Sequence, residues 1–273
     1  MTWQMLLGYL PVNASRREQS LKRKRMDYIN VAMVQHYNID DNDRTISEQE
    51  TLRQVLVDVP RTAPDIPLFR NERIRTSLGR LLYIWAMRHP ASSYVQGIND
   101  LATPLFLVFL SNSTSGDKKL GCHPIEDVLS GSTMDDISDE TLFHEIEADV
   151  YGCLTNLLAG IQDHYTQDQP GVQRMVLKLE ELICRVDKPL SSSFEEKGVS
   201  MFQFAFKWMN CLLLREFTLQ RIVRLWDTYL SEENGFEYFH VYVCAAFLCQ
   251  FSQSIQEMEF DQLFSFMQVM MSR

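Results

Sequence analysis

Two short stretches of this chain combine residue types that can act on a charged reaction centre. The first is Val55-Leu56-Val57-Asp58-Val59-Pro60-Arg61-Thr62, running on into Ala63-Pro64-Asp65-Ile66-Pro67. Prolines at 60, 64 and 67 fix φ at three positions within eight residues, so Arg61 is expected to leave a helix end on a stiffened, non-helical perch. A guanidinium held there can stabilise negative charge, and Asp58, three residues back, is near enough to orient it. The plainer reading is an ordinary helix exit with a surface ion pair. The second stretch is Ser93-Tyr94-Val95-Gln96-Gly97-Ile98-Asn99-Asp100. Gln96 carries both an acceptor and a donor, but Ser93-x-x-Gln96 also fits a capping box in which the amide bonds back to Ser93. Gly97 costs about 1 kcal/mol inside a helix, which implies close backbone approach or an unusual dihedral.

Charge is distributed unevenly around these stretches. From Arg53 to Arg88 seven arginines meet three acids, and no lysine occurs between Met26 and Asp117. An arginine-only stretch suits planar, bidentate recognition of carboxylate or phosphate, although arginine is also a good helix-surface residue. Between Leu120 and Gln173 there are eleven acids and no lysine or arginine, so the net charge of −10 leaves +1 for everything else. The six cysteines, Cys122, Cys153, Cys184, Cys211, Cys244 and Cys249, are scattered and read as buried free thiols of a reducing compartment. His144-Glu145-Ile146-Glu147 lacks the second histidine of a zinc helix, so no metal site is expected.

The elements that must position these residues are helical. At 273 residues the chain allows one large domain or two small ones, and its 45% hydrophobic and 23% charged fractions are globular averages. The longest apolar run, Leu101–Leu110, is broken by Pro104 and is too short to span a membrane. With no signal-peptide pattern after Met1, a soluble intracellular protein is expected. Capping boxes are read at Ser15-x-x-Glu18 and Ser47-x-x-Glu50. Apolar spacing then predicts helices to about His36, over 47–59, over 72–88 with Ile74, Leu78, Leu81, Leu82 and Trp85 inward, and from about Ser93 through Phe109. Further helices are expected over 139–165, 172–186, 200–215 (apolar all round), 218–230, 236–250 and 260–271. Residues 111–137 are polar, acidic and without clear periodicity, and read as a mobile acidic insertion. No strand alternation of useful length, phosphate-binding glycine loop or internal repeat is found, so the fold class expected is all-α with no sheet.

The two stretches, about 35 residues apart, also resemble a known pair of motifs. Val55-x-x-Asp58-x-x-Arg61-Thr62 resembles the I-x-x-D-x-x-R motif of TBC-domain Rab GTPase-activating proteins, with valine in place of the first isoleucine. Tyr94-Val95-Gln96-Gly97 with Ile98-Asn99-Asp100 resembles their Y-x-Q-G motif. Trp3-x-x-x-x-Gly8-Tyr9-Leu10-Pro11, Phe204-x-Phe206-x-x-Met209-Asn210-Cys211-Leu212-Leu213-x-Arg215-Glu216-Phe217, Arg224-Leu225-Trp226-Asp227-Thr228-Tyr229 and Phe239-His240-Val241 follow the family in order. The likeness runs over nearly the whole chain and is greatest to the Golgi-associated, yeast-type branch. It implies a single large multi-helix domain over 1–273 in two helical lobes. The arginine common before Trp3 and the family's last helices are lacking, so both ends read as truncated.

The resemblance further implies that the chain activates Rab-family small GTPases in their GTP form, with Arg61 as an arginine finger and Gln96 as a glutamine finger. Asp58 is expected to orient the Arg61 loop, and Tyr94, Gly97, Asn99 and Asp100 to position Gln96. Arg70, Arg73 and Arg75 are candidates for the GTPase-facing surface. No cofactor of its own is implied, because GTP and magnesium belong to the partner. A cytoplasmic protein held peripherally at Golgi or endomembranes through partners is expected, without direct membrane insertion, and a homodimer is left open. The alternative is a non-catalytic helical scaffold that binds a Rab GTPase. Lys22-Arg23-Lys24-Arg25 admits nucleic-acid binding or nuclear import, against which stand the acidic total and the lack of interleaved aromatics, so no nucleic-acid partner is expected.

Overall fold

The computed structural model describes residues 1–113, 123–137 and 139–270. Helices in chain order are α1 (Thr2–Leu6), α2 (Arg17–Asp27), α3 (Ile46–Asp58), α4 (Glu72–Arg88), α5 (Ile98–Ser111), α6 (Ile125–Ser130), α7 (Thr133–Asp136) and α8 (Glu140–Gly160). They continue as α9 (Pro170–Val186), α10 (Lys188–Glu196), α11 (Phe202–Asn210), α12 (Leu219–Ser231), α13 (His240–Cys249), α14 (Ser252–Glu257) and α15 (Phe260–Met270). Among the described residues there is no strand, as expected of an all-α chain. The chain divides into two compact units, Met1–Gly160 and Ile161–Arg273.

The core of the first unit is built on α4, α5 and α8. Helix α4 keeps the expected bounds, with Asn71 accepting from the Arg73 amide as its N-cap and Ile74, Leu78, Leu81, Leu82 and Trp85 buried. Helix α5 is buried almost all round and continues through Pro104. Carboxylates on α8 fasten the neighbouring helices. Glu147, fully buried, takes a bidentate pair from Arg80 of α4 (2.7 and 2.5 Å) and the Tyr28 hydroxyl at 2.5 Å. Arg25 of α2 reaches Asp149, with Nε at 3.0 Å and Nη2 at 2.6 Å, and also Glu145. Part of the arginine bias and part of the acidic run therefore meet inside this unit, where fork geometry suits a carboxylate.

Several local expectations are corrected. Ser15 does not cap α2; Asn13 instead caps a short 3₁₀ turn, Ala14–Arg16, that leads into it. Beyond Asp27 the helix loosens into a π-helical stretch, Tyr28–Tyr37, so Tyr28, Ala32 and Met33 are buried while Met26 is exposed. The capping box of α3 is Thr45 with Glu48, not Ser47 with Glu50: Glu48 accepts from the Thr45 amide at 2.7 Å and Thr45 Oγ1 from the Glu48 amide at 3.3 Å. The insertion read over 111–137 falls partly on 114–122, outside the described residues. Its later part is not structureless, since α6 and α7 form there and bury Val128, Met134 and Ile137.

In the second unit α9 starts with Pro170 at N1 and buries Val172, Met175, Val176, Leu179 and Ile183 against α11 and α13. The helix expected over 200–215 ends at Asn210, because Leu212 (φ 49°) and Leu213 (φ 60°) take left-handed conformations. Nor is it buried on every side: Phe202 is exposed. Trp208, Trp226 and Tyr229 fill this core, with Phe236 edge-on to both Trp226 and Tyr229. Of the cysteines described, Cys153, Cys211 and Cys244 are buried, Cys249 is intermediate and Cys184 is exposed rather than buried; Cys122 lies outside the described residues.

Candidate functional site

Helix α3 ends at Asp58, where Pro60 cannot donate to a further turn, and the chain continues as one 3₁₀ turn, Val59–Arg61. The perch of Arg61 is thus a tightened helical turn, not the non-helical segment expected. Helix α5 begins at Ile98, with Gly97 (φ 111°) as its N-cap. Ser93 therefore does not cap it, and Gln96 stands just outside the helix on a turn that only glycine accommodates readily. Ala63 (φ 43°) and Ser93 (φ 56°) are the two non-glycine residues of the first unit with left-handed backbone, among the described residues. Each lies within three positions of Arg61 or Gln96, and strain of this kind gathers at functional sites.

One carboxylate joins the two stretches. Asp58, almost wholly buried, accepts from Arg61 through Oδ1, with Nε at 2.7 Å and Nη2 closer still. Its Oδ2 accepts the Tyr94 hydroxyl at 2.7 Å. Burial and this bond push the Tyr94 phenol pKa well up, so it remains a donor. A second tie runs from Asn99 Nδ2 to Thr62 Oγ1 at 2.8 Å, while Asn99 Oδ1 accepts the Gly97 amide at 3.0 Å. Thr62 Oγ1 in turn donates to the Asp58 carbonyl at 3.0 Å. Asp100 is buried in the first turn of α5, its Oδ1 3.4 Å from Asn99 Nδ2. Asp58, Tyr94, Gly97, Asn99 and Asp100 thus meet in one polar seam.

Arg61 and Gln96, both exposed, line the same groove of about 340 Å³, together with Glu50, Arg53, Gln54, Val57 and Asp58. The Arg61 side chain is 55% exposed although one edge of its guanidinium is held. This leaves an oriented cation and a carboxamide on one open surface, an arrangement suited to stabilising negative charge and directing a water on a second molecule. Glu50, Arg53, Gln54 and Val57 were not singled out in the sequence. Their i, i+3, i+4, i+7 spacing marks the face of α3 opposite buried Val55, which is the signal that could have found them.

The three arginines expected on a partner surface differ. Arg73 is turned into the fold, a correction: Nη1 donates to the Ile137 carbonyl at 2.6 Å, Nη2 lies 2.9 Å from Glu140, and the guanidinium covers the Phe143 ring. Arg75 Nε donates to the Phe69 carbonyl at 2.9 Å and steadies the entry to α4. Arg70 is exposed, with Nε on the Pro64 carbonyl at 2.7 Å. Among the described residues no cluster of histidine, cysteine or carboxylate groups could hold a metal ion.

The profile of the Rab-GTPase-TBC domain matches residues 1–256. The chain is 48% identical over 269 residues to "GTPase-activating protein gyp1" of Schizosaccharomyces pombe, covering 98% of this chain and 50% of that protein. It is 45% identical over 259 residues to human "TBC1 domain family member 22B", covering 95% and 48%. It thus spans about half the length of the curated relatives it matches. Among solved structures, the crystal structure of the Ypt/Rab-GAP domain of Gyp1p superposes with a TM-score of 0.87 at 42% identity, over 99% of this chain and 79% of that one.

Proposed function

The chain belongs to the Rab-GTPase-TBC family, and on that premise we propose that it accelerates GTP hydrolysis by a Rab-type small GTPase, to which it lends two side chains. The observation that carries this reading is the single groove lined by both Arg61 and Gln96. In phosphoryl transfer the protein does little covalent work; it stabilises charge on the transferring group and orients the water. Arg61 supplies the first by entering the partner's nucleotide site. Gln96 supplies the second, accepting from the attacking water while donating to a γ-phosphate oxygen.

Asp58 holds Arg61, and through Tyr94 the same carboxylate holds the segment bearing Gln96, so both groups arrive already spaced. The substrate is the GTP-bound GTPase, which brings the nucleotide and its magnesium; the chain contributes no cofactor. Arg70 is the arginine of the three that remains available to such a partner. A position at Golgi or endomembranes, reached through the GTPase or an adaptor, belongs to the same reading. Among the described residues no helix is long and apolar enough to cross a membrane.

Single-turnover GTP hydrolysis across a panel of Rab proteins tests the proposal. At least one is expected to be accelerated, with Arg61→Ala losing about 10³–10⁵ of that acceleration and still binding. Gln96→Ala is expected to lose on the order of 10²–10³, the scale of removing one oriented transition-state donor. A chain that binds Rab proteins and accelerates none of them is a scaffold, and the proposal fails.

A further inference from the structure

The basic run Lys22–Arg25, which the proposed activity does not use, is divided by the fold. Arg25 is committed to Asp149 and Glu145. Lys24 bends back, its ammonium 2.5 Å from the Tyr9 carbonyl and 4.5 Å above the Tyr9 ring. Both are neutral partners, and partial burial lowers the Lys24 pKa from its ordinary value. Arg23 is exposed and has no ion pair among the described residues.

Arg23 and Lys24 line one cavity of about 540 Å³ together with Arg88 and His89 from the end of α4. The one acid in its lining is Asp27, and Arg88 meets that charge at 3.3 Å. His89 stacks on Trp85 and donates from Nδ1 to the Trp85 carbonyl at 2.8 Å, which fixes the ring in the wall. Tyr28 and Tyr151, 4.7 Å apart between ring centroids, form part of the apolar side. In a chain of net charge −10 the cavity therefore carries two cations that no carboxylate compensates, one of them largely stripped of water. Ligand sites commonly occupy roughly 300–1,000 Å³ and combine such apolar walls with a few convergent charges.

We propose that this cavity binds a phosphate monoester carried on a small polyol ring, with Arg23 and Lys24 on the phosphate. Arg23 can present a planar fork to two phosphate oxygens and Lys24 a point charge to a third. The same chemistry is offered by a soluble sugar phosphate and by a phosphorylated lipid headgroup. The site is independent of the Arg61 groove and of the activity proposed for it.

Calorimetric titration of the whole chain with inositol monophosphate, against inositol as control, tests the site. Saturable binding of the phosphate alone is expected. It should weaken roughly tenfold in Arg23→Ala and in Lys24→Met, and remain unchanged in Lys22→Ala, whose side chain lies outside the cavity. Arg23 is exposed, so its variant carries the test even where Lys24→Met fails to fold. Cosedimentation with phosphatidylcholine vesicles bearing a phosphatidylinositol phosphate, against phosphatidylserine vesicles of equal charge, distinguishes the sources. Preference for the former assigns a membrane headgroup; binding of the soluble phosphate without that preference assigns a free metabolite. No binding of inositol monophosphate, or binding that Arg23→Ala leaves intact, overturns the proposal.

Discussion

Two buried polar clusters, one in each unit, are built in opposite ways. In the seam under Arg61 each group has a partner matched to it: Asp58 accepts on both oxygens, and Asn99 both donates and accepts. The cluster in the second unit is poorly satisfied. His164 is fully buried and neither ring nitrogen has a hydrogen-bond partner. Glu216 is buried with Lys207 Nζ at 3.6 Å, too far for a hydrogen bond. His240, held between the Tyr229 hydroxyl and the Trp208 carbonyl, is satisfied only while it is neutral. The first arrangement fixes geometry, whereas the second makes stability respond to protons.

Removing the seam's carboxylate breaks this contrast most directly. Asp58→Ala strands the Tyr94 hydroxyl in the core and frees Arg61, which turns the seam into a cluster of the second kind. GTP hydrolysis with the responsive Rab is expected to fall about 100-fold, and chemical denaturation to show a loss of about 1–3 kcal/mol. Asp58→Ala that leaves both quantities unchanged would sink the account of the seam.

The second cluster predicts a stability maximum in pH. Burial holds Glu216 up at about 7, above its unfolded value of 4.5, so the folded chain binds more protons between those limits. Its contribution is complete below pH 4.5 and is lost as pH rises through about 7. Burial pushes His164 down to about 4 and His240 down to about 3, from 6.5. Their contribution is complete above pH 6.5 and declines on acidification toward those values. Two histidines outweigh one carboxylate below pH 6.5, and Glu216 alone acts above it. Denaturation midpoints of the second unit should therefore peak near pH 6.5. Glu216→Gln should add up to about 3 kcal/mol at pH 8 and leave stability below pH 4.5 nearly unchanged.

A smaller change sharpens the comparison from the first unit. Thr62→Val keeps the shape of the side chain while deleting the hydroxyl that links Asn99 to the Asp58 carbonyl. A cost of about 1 kcal/mol is expected, with GTP hydrolysis reduced less than in Asp58→Ala, because the carboxylate still joins the two stretches.

How far the sequence discloses this molecule depends on what each local signal measures. Helix α4 was legible to the residue because its apolar positions face one core and both ends carry clear stops. The later part of the chain was less so. Hydrophobic spacing over 200–215 cannot distinguish a helix from the left-handed reversal at Leu212 and Leu213, since both bury the same side chains. Helix α10 escaped because Pro189 and Ser191–Ser193 read as loop, although Pro189 sits at its permissive start and Asp187 caps it by accepting the Leu190 amide at 3.1 Å. Capping boxes at Ser15 and Ser47 had the right pattern, but Asn13 and Thr45 stood nearer the true starts.

Within the candidate site, Arg61 and Gln96 were legible as a pair of motifs. Their shared groove was not, because it depends on which face of α3 is buried. The inward choice between Leu56 and Val59 falls to Val59, while Leu56 remains half exposed. Arg73 was misplaced because an arginine that covers a phenyl ring and meets a carboxylate has the same sequence signature as one facing solvent.

The π-helical stretch Tyr28–Tyr37 bears on the chain's tolerance of deletions. Each helical residue turns its successors by about 100°, so excising one residue there would swing α2 around its axis by a comparable angle. Arg25 would leave Asp149, Lys24 would leave Tyr9, and the N-terminal segment would lose its anchorage. Shortening by a single residue at that point should therefore be far more damaging than substitution at most of the individual positions it contains.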